Sequence, residues 1–81
     1  MSKNFDEALA KLIGRNIKML RFDKGLNQEF VCEKAGIDRS YLSRIENGKT
    51  QVTASIIYSI AIALDCEVTD IFPNVSDIPL T

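Results

Sequence analysis

Arg39, Ser40, Ser43, Arg44 and Asn47 are spaced so that a helix would carry all five on one side. A planar guanidinium at the N-terminal end of such a helix can present two donors to O6 and N7 of guanine in a DNA major groove. That pairing is worth about 1 to 3 kcal/mol of discrimination. Arg39 holds this end position and is the first candidate for base readout. Arg44 lies on the same face and can read a second base or clamp a phosphate. Ser40 and Ser43 are short enough to let a helix come close to base edges. Tyr41 has two readings: its ring meets a thymine methyl or its hydroxyl a phosphate, or it packs beside Leu42 at the edge of the inward face.

These side chains need a short helix held against a core, and local rules supply one. Asn27 is a good N-cap, Glu29 adds an acid to the first turn, and Val31, Cys32 and Ala35 give an inward face. Gly36 can take the left-handed conformation that ends a helix without steric cost, and Asp38 then caps the next one. Helices joined so closely cross at a steep angle. Leu42 and Ile45 face inward on the second of them, and Gly48 is its stop. The pair spans about residues 27 to 48. Gln28 opens the first of the two, where unpaired backbone N–H groups and the positive dipole end favour a phosphate. Asn47 and Lys49, just beyond the second, are further candidates for phosphate contact, with Arg15 or Arg21 as possible additions. Such contacts position a protein on DNA without reading sequence.

The remainder fits an all-α chain of five helices. Phe5, Leu9, Leu12, Ile13, Ile17 and Leu20 recur at helical spacing over about residues 5 to 23, closed by Gly25. A fourth helix begins after Thr53 with Ile57, Ile60, Ala61 and Leu64 inward. A short fifth one covers about Val68 to Phe72, before Pro73 stops it. Residues 73 to 81 read as an irregular tail, and no repeat or linker divides the chain, so residues 1 to 81 form one domain. The fourth helix carries a second apolar stripe, Tyr58, Ile62 and Cys66, at i, i+4, i+8 spacing. A helix apolar nearly all round is covered on both sides. Either a second copy of the chain covers this stripe, or the tail folds back with Val75, Ile78 or Leu80 over it.

Composition sets the outer limits. Eighty-one residues bury one modest core, and a chain this small often gains stability by pairing with itself. All ten Lys and Arg precede residue 50, against seven acids up to residue 52 and four after it, so a basic surplus of three faces an acidic tail. A basic part can neutralise phosphates while an acidic part pointing away keeps binding selective. Lys3, Lys11 and Lys34 read as plain helix solvation. No apolar run is long enough to cross a bilayer and no signal peptide is visible, which implies a cytoplasmic protein. Cys32 and Cys66 lack CxxC spacing and there is no histidine, so buried reduced thiols are expected and no metal or other cofactor. An enzyme is not expected either: there is no phosphate-cradling glycine loop and no carboxylate pair in an evident cleft.

Gln28-Glu29, Ala35-Gly36-Ile37 and Ser43-Arg44-Ile45-Glu46-Asn47-Gly48-Lys49 together resemble the lambda-repressor-like helix-turn-helix family, also called Xre or Cro/C1, over about residues 9 to 72. The resemblance implies a five-helix DNA-binding domain and a transcription regulator. It gives Gln28 a backbone-clamping role and Glu46 a structural one, as partner to a basic group on a neighbouring helix. It also places dimer contacts on the fourth and fifth helices, which assigns Tyr58, Ile62 and Cys66, with Val68, Ile71 and Phe72, to a two-fold interface. Asp38-Arg39-Ser40-Tyr41-Leu42-Ser43 most resembles the controller proteins of restriction-modification operons. The expected partners are therefore a roughly palindromic double-stranded operator and a second copy of the chain, with no membrane and no small-molecule effector. The alternative is an antitoxin or protein-binding module whose DNA binding is secondary. Phe30, where relatives are usually polar, is either an exposed protein contact or packs on the first helix.

Overall fold

Each change of periodicity and each cap becomes an element boundary in the computed structural model, which describes residues 3 to 79. The elements are α1 (Lys3–Asp23), α2 (Gln28–Ala35), α3 (Arg39–Glu46), α4 (Ala54–Leu64) and α5 (Val68–Ile71), followed by a single 3-10 turn at Val75–Asp77. Leu80, one of the residues offered as a cover for α4, and the Lys3 side chain lie outside what is described.

The caps work largely as their residue types suggest. The Asn27 side chain accepts from the Phe30 N–H at 2.8 Å, and Thr53 accepts from the Ile56 N–H at 3.4 Å. Gly36 closes α2 in the left-handed region (φ 71, ψ 35) while its N–H and that of Ile37 both reach the Cys32 carbonyl. Asp38 differs from expectation. It occupies the cap position of α3 in extended backbone, but its side chain makes no capping hydrogen bond. At the other end of the fold, Asp65 takes the left-handed conformation (φ 54) that ends α4, and Lys24 Nζ donates to its carbonyl at 2.7 Å.

Ile13 and Ile17 of α1, Val31 and Cys32 of α2, Leu42 and Ile45 of α3, the inward residues of α4 and Ile71 of α5 form one cluster. Ile17, Val31, Leu42, Ile45, Ile60, Leu64 and Ile71 are fully buried. Each is worth about 1.5 to 3 kcal/mol of transfer free energy. Helix α1 lies against α3 and α5, while α2 lies against α3 and α4. The α1 to α3 contact is close because Gly14 has no Cβ, and one built there would run into the Ile45 carbonyl oxygen.

Helix α5 is one residue shorter than expected, and Phe72 is its extended C-cap. Asn16 Nδ2 of α1 donates to the Ile71 carbonyl at 2.8 Å, which holds this short element down. Both thiols are free; Cys32 is buried and Cys66 half-buried. Burial raises the thiol pKa of each above its ordinary value, so both stay protonated near neutral pH.

Candidate nucleic-acid interface

Helix α3 divides sharply into two sides. Leu42, Ile45 and Glu46 are buried, whereas Arg39, Ser40 and Arg44 are exposed and Tyr41 and Ser43 half-buried. Packing of the buried side fixes which residues the helix offers to solvent. Arg39 stands at its N-terminal end next to Gln28, the first residue of α2.

A polar chain runs behind that corner. Arg21 Nε donates to Glu46 Oε2 at 2.7 Å and Arg21 Nη2 to Glu46 Oε1 at 3.0 Å. Arg21 Nη1 also donates to the Leu26 carbonyl at 3.0 Å. Glu46 Oε1 accepts a second donor, Gln28 Nε2, at 3.0 Å, and Gln28 Oε1 accepts from Arg39 Nε at 3.4 Å. Four side chains from three helices are thus linked from the core to the exposed guanidinium. Arg21 was a candidate phosphate contact; it is instead only 7% exposed and committed to Glu46. A buried guanidinium needs a paired carboxylate more than a surface phosphate needs an extra donor. The signal was available: Arg21 follows Ile13 and Ile17 at four-residue steps, which puts it on the inward stripe of α1.

The remaining candidates sit close to the same face. The Arg44 guanidinium lies 5.5 Å above the Tyr41 ring centroid, and Tyr41 also packs against the core, so it has structural partners as well as an edge left to solvent. Asn47 Nδ2 folds back onto the Ser43 carbonyl at 2.9 Å. Asn47 and Lys49 share a cleft of about 310 Å³ with Gly48 and with Glu7 and Lys11 of α1. By sequence Lys11 only solvates its helix, and nothing local pairs it with Lys49.

Along α4 and α5, Tyr58 is 58% exposed, Ile62 77% and Phe72 42%, with Cys66 and Val68 half-buried. Ile71 does not belong to this surface. It is fully buried against α1 and is core. Within the described residues the tail does not cover Ile62, and Val75 is itself 79% exposed. Phe30 is exposed, with Lys34 Nζ 5.6 Å from its ring centroid.

Among the described residues no helix is long and apolar enough to cross a membrane, and no group of three or more His, Cys, Asp and Glu could hold a metal.

Two short helices joined at Gly36, the second sealed inside and cationic outside, within five helices, make a lambda-repressor-like helix-turn-helix domain, the fold of DNA-binding transcription regulators. The Helix-turn-helix family model matches residues 17–71, and the chain belongs to that family. An uncharacterized HTH-type transcriptional regulator of Sinorhizobium fredii is 41% identical over 56 residues, covering 69% of this chain and 73% of the relative. Control protein C.MunI of a Mycoplasma species is 33% identical over 63 residues, covering 76% and 85%. The crystal structure of the restriction-modification controller protein C.AhdI from Aeromonas hydrophila superposes with a TM-score of 0.75 at 36% identity, covering 78% of this chain and 96% of that one. The homologues are thus Xre-type regulators that include restriction-modification controllers. Other curated regulators are longer, and the chain spans 56% and 52% of two of them.

Proposed function

We propose that the chain is a transcriptional regulator that binds a roughly palindromic operator as a homodimer, each copy laying α3 in the major groove. The observation that carries this reading is the division of α3, whose inner side is locked into the core while Arg39, Ser40 and Arg44 remain outside. In this reading Arg39 reads a guanine, Arg44 reads a second base or clamps a phosphate, and Ser40 and Ser43 permit close approach. Gln28 spends one amide hydrogen on Glu46 and has a second for a phosphate. Tyr41 adds a hydroxyl, and Asn47 and Lys49 flank the backbone from the end of α3.

The exposed stripe of Tyr58 and Ile62, with Cys66, Val68 and Phe72 beside it, supplies a self-complementary surface for the second copy. A two-fold dimer places two copies of α3 about one helical turn of DNA apart, or a multiple of it. Residues 1 to 81 act as one domain in this account, working on cytoplasmic DNA with no catalytic step. Likeness to two controller proteins supports a role in regulating a restriction-modification operon that includes the regulator's own gene. A methyltransferase or endonuclease gene alongside would bear this out.

One observation favours a second reading, a protein-binding module. Exposed Phe30 and Ile62 share a cleft of about 450 Å³ with Leu26, Lys24 and Lys34. Selection of bound duplexes from a random library at about physiological salt separates the two readings. A two-fold symmetric motif with guanine in each half-site supports the operator-binding dimer. A well-folded protein that enriches no motif contradicts it.

A further inference from the structure

The cleft between the N-terminal half of α1 and the end of α3 assembles charges from distant parts of the chain. Gly48 lies directly under Lys11: a Cβ at this glycine would stand 2.6 Å from Lys11 Cγ and 2.8 Å from Lys11 Cα. The aliphatic stem of Lys11 therefore rests across the turn that follows α3. Lys11 lines one cleft with Lys49 and Asn47, which flank that turn. The loop bearing Lys49 is tied to α1 independently, because Gln51 Nε2 donates to the Asp6 carbonyl at 2.7 Å. Both walls of the cleft are fixed by contacts that involve neither ammonium group.

Two cations and the Glu7 carboxylate line this cleft, leaving one unit of positive charge. Among the described residues the only ion pair is Arg21 with Glu46, so neither lysine is neutralised by a close carboxylate. Both lysines are exposed, and Lys49 and Asn47 border the reading face of α3. A DNA phosphodiester carries a single negative charge and matches the surplus. Pinning a lysine stem on backbone also lowers the rotamer entropy lost when its head binds.

We propose that Lys11 and Lys49 together form a clamp for one or two adjacent backbone phosphates, with Asn47 as a neutral donor, so that α1 contributes a DNA contact of its own. The proposal rests on the operator-binding reading and adds a residue to it. Because a phosphate contact carries no sequence information, Lys11 acts on affinity and salt dependence and leaves base preference alone.

The test is the salt dependence of binding to the selected duplex, measured by fluorescence anisotropy for the wild type and for Lys11→Gln, Lys11→Arg and Lys49→Gln. Each lost phosphate contact lowers the slope of log Kobs against log salt by about 0.9. The expected result is that loss for both glutamine variants, a wild-type slope for the arginine variant, and an unchanged motif throughout. A wild-type slope in Lys11→Gln, with the loss still seen in Lys49→Gln, overturns the role of Lys11 and leaves the operator reading standing. Wild-type slopes in both glutamine variants overturn the clamp and the placement of this face on DNA together. A thermal melt of each variant separates lost contact from lost fold.

Discussion

Arg21 and Glu46 meet in a two-pronged contact at 2.7 and 3.0 Å, and both are almost wholly buried. The pair joins the last turn of α1 to the last residue of α3, behind the residues that face solvent. Taking two charges out of water is costly, and the contact offsets that cost only while both partners are present. Removing Glu46 leaves a buried guanidinium with the Leu26 carbonyl and Phe22 ring as its remaining partners. Glu46→Ala should therefore destabilise the fold by about 3 to 5 kcal/mol. Urea denaturation followed by circular dichroism measures it, and a loss under about 1 kcal/mol would show that the pair is dispensable.

Gly14 governs how near α1 lies to α3. With a methyl group at this position the Ile45 carbonyl must retreat, and Ile45 is fully buried, so the retreat spreads into the core. Gly14→Ala should cost about 1 to 3 kcal/mol or more, in spite of the better helix propensity of alanine. A melting temperature equal to or above that of the wild type would mean that the two helices separate at little cost.

Ile62 is the most exposed residue of the α4 stripe, at 77%, and its loss should leave the monomer fold intact. Ile62→Glu puts a charge at the centre of the proposed two-fold surface. Sedimentation equilibrium should find monomers, and denaturation should place the stability of the monomer fold within about 0.5 kcal/mol of the wild-type monomer, as is usual for a surface substitution. A variant that remains dimeric would move the interface elsewhere.

The positions of α2 and α3 were legible because short-range rules govern them: Asn27, Gly36 and the Leu42 to Ile45 spacing each act within one or two turns. The same rules fell short wherever the outcome depends on what lies opposite. Ile71 shares its apolar character with Val68 and Phe72, and only the packing of α5 on α1 sorts it into the core. Asp38 has the right side chain for a cap, yet residue type alone does not fix where its carboxylate points. Lys11 and Lys49 line one cleft because the turn after α3 packs against α1, a relation without any local signature. The link from Gln28 to Arg39 was equally hidden, since it needs the crossing of α2 and α3 to bring the two together.

The claim on which the functional account turns is that Arg39 reads a base from the head of α3. Affinities of wild type and Arg39→Ala should be compared on the selected duplex and on its single-base variants, at one fixed salt concentration. The account predicts that the alanine variant loses about 1 to 3 kcal/mol of discrimination at one guanine in each half-site, while preferences elsewhere and non-specific affinity are largely kept. An identical base profile for the two proteins would contradict it and place the recognition surface away from the N-terminal end of α3.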